Sequence, residues 1–90
     1  MISKDITIIN QLGLHARAAA KFVGTAGRFK CAIKVGRNSD SLVDGKSIMS
    51  VMMLAAGKGT SLHLVTDGND EAEAMQAMVE LIENYFGEGK

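Results

Sequence analysis

Gly13-Leu14-His15-Ala16-Arg17 puts one imidazole where an alternating apolar run gives way to an alanine-rich segment, with a guanidinium two residues further on. A helix beginning at that point offers N–H groups without intrahelical partners and a partial charge of roughly +0.5. Arg17 adds a fixed cation whose forked donors match phosphate oxygens. The neutral imidazole is a nucleophile near pH 7, so the combination suits a phosphoryl group carried transiently on His15. The backbone of Ala16, Arg17 and Ala18 would then bind the dianion at the helix start. Taken alone, the pair also fits a surface-loop histidine and a solvated helix charge.

Ser47 is the second residue with chemistry available to it. It stands just before a short apolar segment, where a serine hydroxyl caps a helix and contributes about 0.5–2 kcal/mol. Ser47 to Met53 is too apolar for a helix that buries one face: Ile48, Met49, Val51, Met52 and Met53 exceed the three positions in seven that such a helix needs. Some of these side chains therefore face water or a partner, and methionine suits a surface that fits several partners. Two other residues are assigned no role. His63 lies opposite in phase to Leu62 and Leu64 and reads as a solvent-facing sheet residue, and Cys31 reads as a small buried hydrophobe.

The elements that must position these residues follow from periodicity. Asp5–Ile9 alternates as a strand with one wet face. Residues 16–26 carry Ala19, Phe22, Val23 and Ala26 at helical spacing, with Gly27 where a left-handed cap belongs. Cys31–Val35 and Ser41–Asp44 read as a hairpin closed by Gly45. A short helix near Ser47–Met53 follows, then the Gly57-Lys58-Gly59 turn and a strand starting at Ser61 that Asp67-Gly68-Asn69 ends. Asp70 with Glu73 suggests a capping box for a last helix, whose buried stripe is Ala74, Met75, Met78, Leu81, Ile82 and Tyr85. The order βαββαβα predicts an α+β open-faced sandwich: a four-stranded antiparallel sheet with three helices on one face, in a single domain spanning residues 1–90.

Composition narrows the function. Ten basic residues balance ten acidic ones, which leaves no net field toward nucleic acid or an anionic membrane. A ferredoxin-like RNA reader shares the order of the first six elements but needs aromatic platforms on its strands; here three Phe and one Tyr all lie outside them. One cysteine makes no internal disulfide and no paired-thiol metal site, so no metal or cofactor is expected. With no signal peptide or spanning stretch in view, a cytoplasmic location is expected, with proteins as partners.

The Gly13–Arg17 motif resembles the active-site signature of the HPr family, the histidine-containing phosphocarriers of the bacterial phosphotransferase system. Lys46-Ser47-Ile48-Met49-Ser50-Val51-Met52 resembles that family's regulatory-serine segment, Gly57-Lys58-Gly59 its turn before the last strand, and the length matches end to end. The resemblance implies that His15 accepts phosphate from enzyme I on Nδ1 and passes it to an enzyme IIA-type protein, with Arg17 contacting the phosphate. The chain would be a monomeric phosphoryl-transfer intermediary in sugar uptake or its regulation, not an independent catalyst. The resemblance further implies that Ser47 is phosphorylated by an HPr kinase/phosphorylase and that Ile48, Met49 and Met52 form the docking patch, leaving Val51 and Leu54 for the core. Ala18 departs from the proline that many members carry after the arginine. Alanine restores a backbone donor there and frees an angle, so a looser loop with retained chemistry is expected. The alternative is a docking module of the nitrogen-related branch that acts mainly through protein binding.

Overall fold

The computed structural model describes residues 1–90. Its elements run β1 (Ile2–Thr7), α1 (Ala16–Ala26), β2 (Ala32–Gly36), β3 (Leu42–Asp44), α2 (Ile48–Met53), β4 (Ser61–Asp67) and α3 (Glu71–Glu83), and a 3₁₀ turn at Tyr85–Gly87 follows. The strands form one antiparallel sheet in the order β1-β4-β2-β3. Alternation decides its two faces: Ile6, Ile33, Val35, Leu62 and Leu64 point inward and are buried, whereas Ser3, Asp5 and Lys34 on the opposite phase are exposed. The helices cover the inward face, giving the α+β open-faced sandwich.

Strand boundaries move where pairing outruns alternation. β1 begins at Ile2 rather than Asp5 because Ile2 pairs with Thr66 of β4, which itself extends to Asp67. Ile8 lies past β1 yet exchanges hydrogen bonds with the turn before β4, donating to Thr60 O at 2.9 Å and accepting from Gly59 N at 2.7 Å. Gly45 closes the β2–β3 hairpin by donating to Ile33 O at 2.7 Å.

Three expected helix ends take another form. Gly27 is right-handed (φ −67°) and donates to Val23 O at 2.9 Å, so it continues α1 instead of reversing it. Asp70 stands at the N-cap of α3 but makes no capping box with Glu73. Its carboxylate accepts instead from the backbone N–H groups of Lys30 (2.8 Å) and Cys31 (2.9 Å), in the loop before β2. Those amides would otherwise lack a partner, and an unmet donor costs more than an imperfect cap. The Lys30 amide is the main cause holding the Asp70 carboxyl below the usual carboxylate range.

At the other end of α3 the expected stripe breaks. Ala74, Met75, Met78 and Ile82 are buried and Leu81 is half-buried, but Tyr85 is exposed. The helix stops at Glu83, and Tyr85 and Phe86 both adopt left-handed backbone (φ 58° and 53°), so the helical period no longer applies and Phe86 fills the core instead. Phe86 and Phe22 are the largest fully buried side chains, each stabilising the fold by about 1.5–3 kcal/mol. Ala18, Ala19 and Ala26 complete the buried face of α1, with Val23 at its edge.

Candidate functional site

The loop into α1 is shaped by close backbone approach. Gly13 has φ +68°, and a Cβ there would lie 2.5 Å from Ala56 O and 2.7 Å from Gly57 Cα, so only glycine fits against the segment that follows α2. Leu14 then donates to Ala56 O at 2.8 Å and buries its side chain. The fully buried Asn10 donates through Nδ2 to Gly13 O at 2.9 Å. These contacts fix where His15 emerges.

His15 is the N-cap residue of α1, in extended conformation (φ −75°, ψ 179°), and its ring makes no capping bond. Its carbonyl accepts the first helical hydrogen bond, from Ala19 N at 2.8 Å, whereas the N–H groups of Ala16, Arg17 and Ala18 have no acceptor. The imidazole is half-buried and meets a carboxylate that the sequence reading did not anticipate: Nε2 lies 2.6 Å from Glu88 Oε2. Nδ1 has no partner. Glu88 Oε1 accepts from Asn10 Nδ2 at 3.0 Å, so the ring is tied to the buried Asn10 through this carboxylate. Burial opposes the Glu88 charge, but the hydrogen bonds from Asn10 and His15 outweigh it and hold the carboxyl below its ordinary range.

Arg17 is exposed and makes no hydrogen bond or ion pair. It lines an open cleft of ≈ 340 Å³ with Leu12, Lys21, Gly87, Glu88 and Lys90, so three cations surround the carboxylate that holds the imidazole. Lys21 also anchors the C-terminal turn by donating to Phe86 O at 2.7 Å. Glu88, Asn10 and Lys21 escape a reading by periodicity because they act from different ends of the chain. The flanking Gly87 and Gly89, both at positive φ, were the one local sign that the tail turns back.

Ser47 stands at the N-cap of α2 as expected, its Oγ accepting from Ser50 N at 3.4 Å. Ile48, Met49 and Met52 are exposed (40%, 67% and 40%), Val51 is buried and Leu54 packs at the edge of the core. Met53 is more exposed still, at 80%, and widens the apolar patch. Arg37 closes α2 at its other end, donating to Leu54 O through Nε and Nη2 and to Ala55 O through Nη2. A cation at a helix C-terminus opposes the partial negative charge there.

The remaining candidates behave as structure. His63 Nδ1 contacts Asp5 Oδ1 at 2.8 Å on the outer face of the sheet. Cys31 is buried, which pushes its thiol above the usual range. No cluster of three or more His, Cys, Asp or Glu side chains could hold a metal ion, and no helix is long and apolar enough to cross a membrane.

The family described as the PTS HPr component phosphorylation site matches residues 2–84. The chain is 69% identical to the phosphocarrier protein HPr of Pseudomonas aeruginosa and 60% identical to that of Neisseria meningitidis, in both cases over 100% of either chain. Among solved structures, that of HPr-C-His from Thermoanaerobacter tengcongensis superposes with a TM-score of 0.91 at 45% identity, covering 98% of each chain. A backbone of this kind, a histidine at an open helix start and full-length similarity together place the chain in the HPr family of phosphocarrier proteins of the phosphotransferase system.

Proposed function

We propose that His15 is the phosphoryl acceptor, charged on Nδ1 by phospho-enzyme I and discharged to an enzyme IIA-type protein in the cytoplasm. The observation that carries this reading is the uncapped start of α1, where the three amides of Ala16, Arg17 and Ala18 are left without acceptors beside an imidazole. In the transfer step the Nδ1 lone pair forms a bond to phosphorus while the donor's P–X bond breaks, its electron pair leaving with X. The dianionic phosphoryl group then lies at the positive end of a helix, next to a guanidinium with no competing partner. No cofactor takes part in this reading.

Two further roles belong to it. Ile48, Met49 and Met52 dock both enzymes, supported by their exposure on a helix whose following segment adjoins the His15 loop. Ser47 is a regulatory phosphorylation site for an HPr kinase/phosphorylase. A phosphate there would lie at a helix N-terminus, where the fold tolerates it, and would reverse the character of the adjoining apolar patch. The protein works as a monomer.

Incubation with phosphoenolpyruvate and enzyme I tests the central claim by intact mass. The wild type is expected to gain one acid-labile phosphoryl group and His15→Ala none. A wild type left unmodified, under conditions that charge an established carrier, refutes it.

A further inference from the structure

We propose that Glu88 is a positioning residue for the phosphoryl step: from the C-terminal turn it holds the His15 ring through Nε2, so that Nδ1 faces the incoming phosphorus. This rests on the reading of His15 as acceptor. An ionised carboxylate only accepts hydrogen bonds, so the 2.6 Å contact places a hydrogen on Nε2. In the neutral ring the lone pair is then on Nδ1. The partner of one ring nitrogen sets both the tautomer and the orientation of the other, as carboxylates do for metal-binding and catalytic histidines.

The carboxylate is itself held. Asn10 Nδ2 bonds Oε1 at 3.0 Å, and Asn10 is fully buried with its second N–H on Gly13 O. The turn that delivers Glu88 is anchored by the buried Phe86 and by Lys21 on the Phe86 carbonyl. It contains two non-glycine residues at positive φ, Tyr85 and Phe86, each costing about 1–3 kcal/mol. Backbone strain of this kind persists where surrounding contacts impose it, and here it brings residue 88 back to residue 15. These residues also lie beyond the stretch 2–84 matched by the family.

Charge bookkeeping assigns the carboxylate a second effect. When Nδ1 bonds to phosphorus the Nε2 hydrogen stays in place and the ring gains a formal positive charge. Glu88 already faces that nitrogen, so the developing cation is stabilised without reorganisation. A purely obstructive tail does not fit, because Nδ1 and the amides of residues 16–18 are left free and the His15 side chain keeps 28% of its exposure.

The test uses the full chain with Glu88→Ala and Glu88→Gln, read by rapid-quench charging from phospho-enzyme I and by ¹⁵N NMR of the His15 ring. Glu88→Ala is expected to slow charging roughly tenfold and to lose the hydrogen-bonded Nε2–H signal. Glu88→Gln keeps a carbonyl acceptor, so it is expected to restore the ring signature and bring the rate to within about threefold of wild type. If Glu88→Ala alters the unfolding midpoint, the rate and ring signature of Glu88→Gln decide. Charging of Glu88→Ala at or above the wild-type rate, with the ring signature unchanged, overturns the proposal while leaving the acceptor reading intact. A wild type that is not charged on His15 removes the acceptor reading and this proposal with it.

Discussion

At the start of α2, Ser47 turns its hydroxyl onto the Ser50 amide; at the start of α1, His15 holds the same N-cap position and bonds none of the amides above it. Both helix ends carry the same backbone donors and the same partial charge, so the side chain at the cap decides what each end can do. Serine uses part of that potential internally and yields stability. Histidine directs its ring away from the helix, toward Glu88, and leaves the donors open to an anion. On the proposed reading, the phosphate site is a helix end whose ordinary cap is missing, and the local cost is about the 0.5–2 kcal/mol that a good cap would contribute.

The largest effect that can break this contrast is at Arg17. Arg17→Ala is expected to slow phosphoryl transfer about ten- to hundredfold with the fold intact, the loss of one charge-assisted contact to phosphate. Unchanged kinetics would mean that the open amides of α1 suffice alone. Next in size is Met49→Glu, expected to weaken binding to enzyme I about tenfold in a titration while the unfolding midpoint stays near wild type. A cooperative unfolding defect would instead make Met49 part of the core. The smallest effect sharpens the contrast from the other side: Ser47→Ala is expected to cost about 1 kcal/mol in denaturant unfolding and to leave His15 charging untouched. A charging defect in that variant would show that the two helix starts are coupled, as the Gly13 contact with Ala56 and Gly57 would allow.

Local sequence carried much of this architecture. The helical spacing of Ala19, Phe22, Val23 and Ala26 located α1, and the excess of apolar residues after Ser47 marked α2 as a surface that keeps side chains in water. The errors fall where one segment depends on another far away. Asp70 looked like a capping residue because its neighbours are a helix's first turn, yet the amides of Lys30 and Cys31 claim its carboxylate. Tyr85 looked buried because it continues a period, yet the chain abandons that period to seat Phe86.

The sequence by itself determined the alternation of the strands, the start of α1 at His15 and the presence of a nucleophile and a cation within two residues, because these depend on interactions between near neighbours. Only the tertiary structure decided what the imidazole touches. Glu88 reaches His15 across 73 intervening steps of chain, by way of a left-handed turn and a buried asparagine. No local pattern encodes such a contact, since its geometry comes from the packing of α1, α3 and the C-terminal turn.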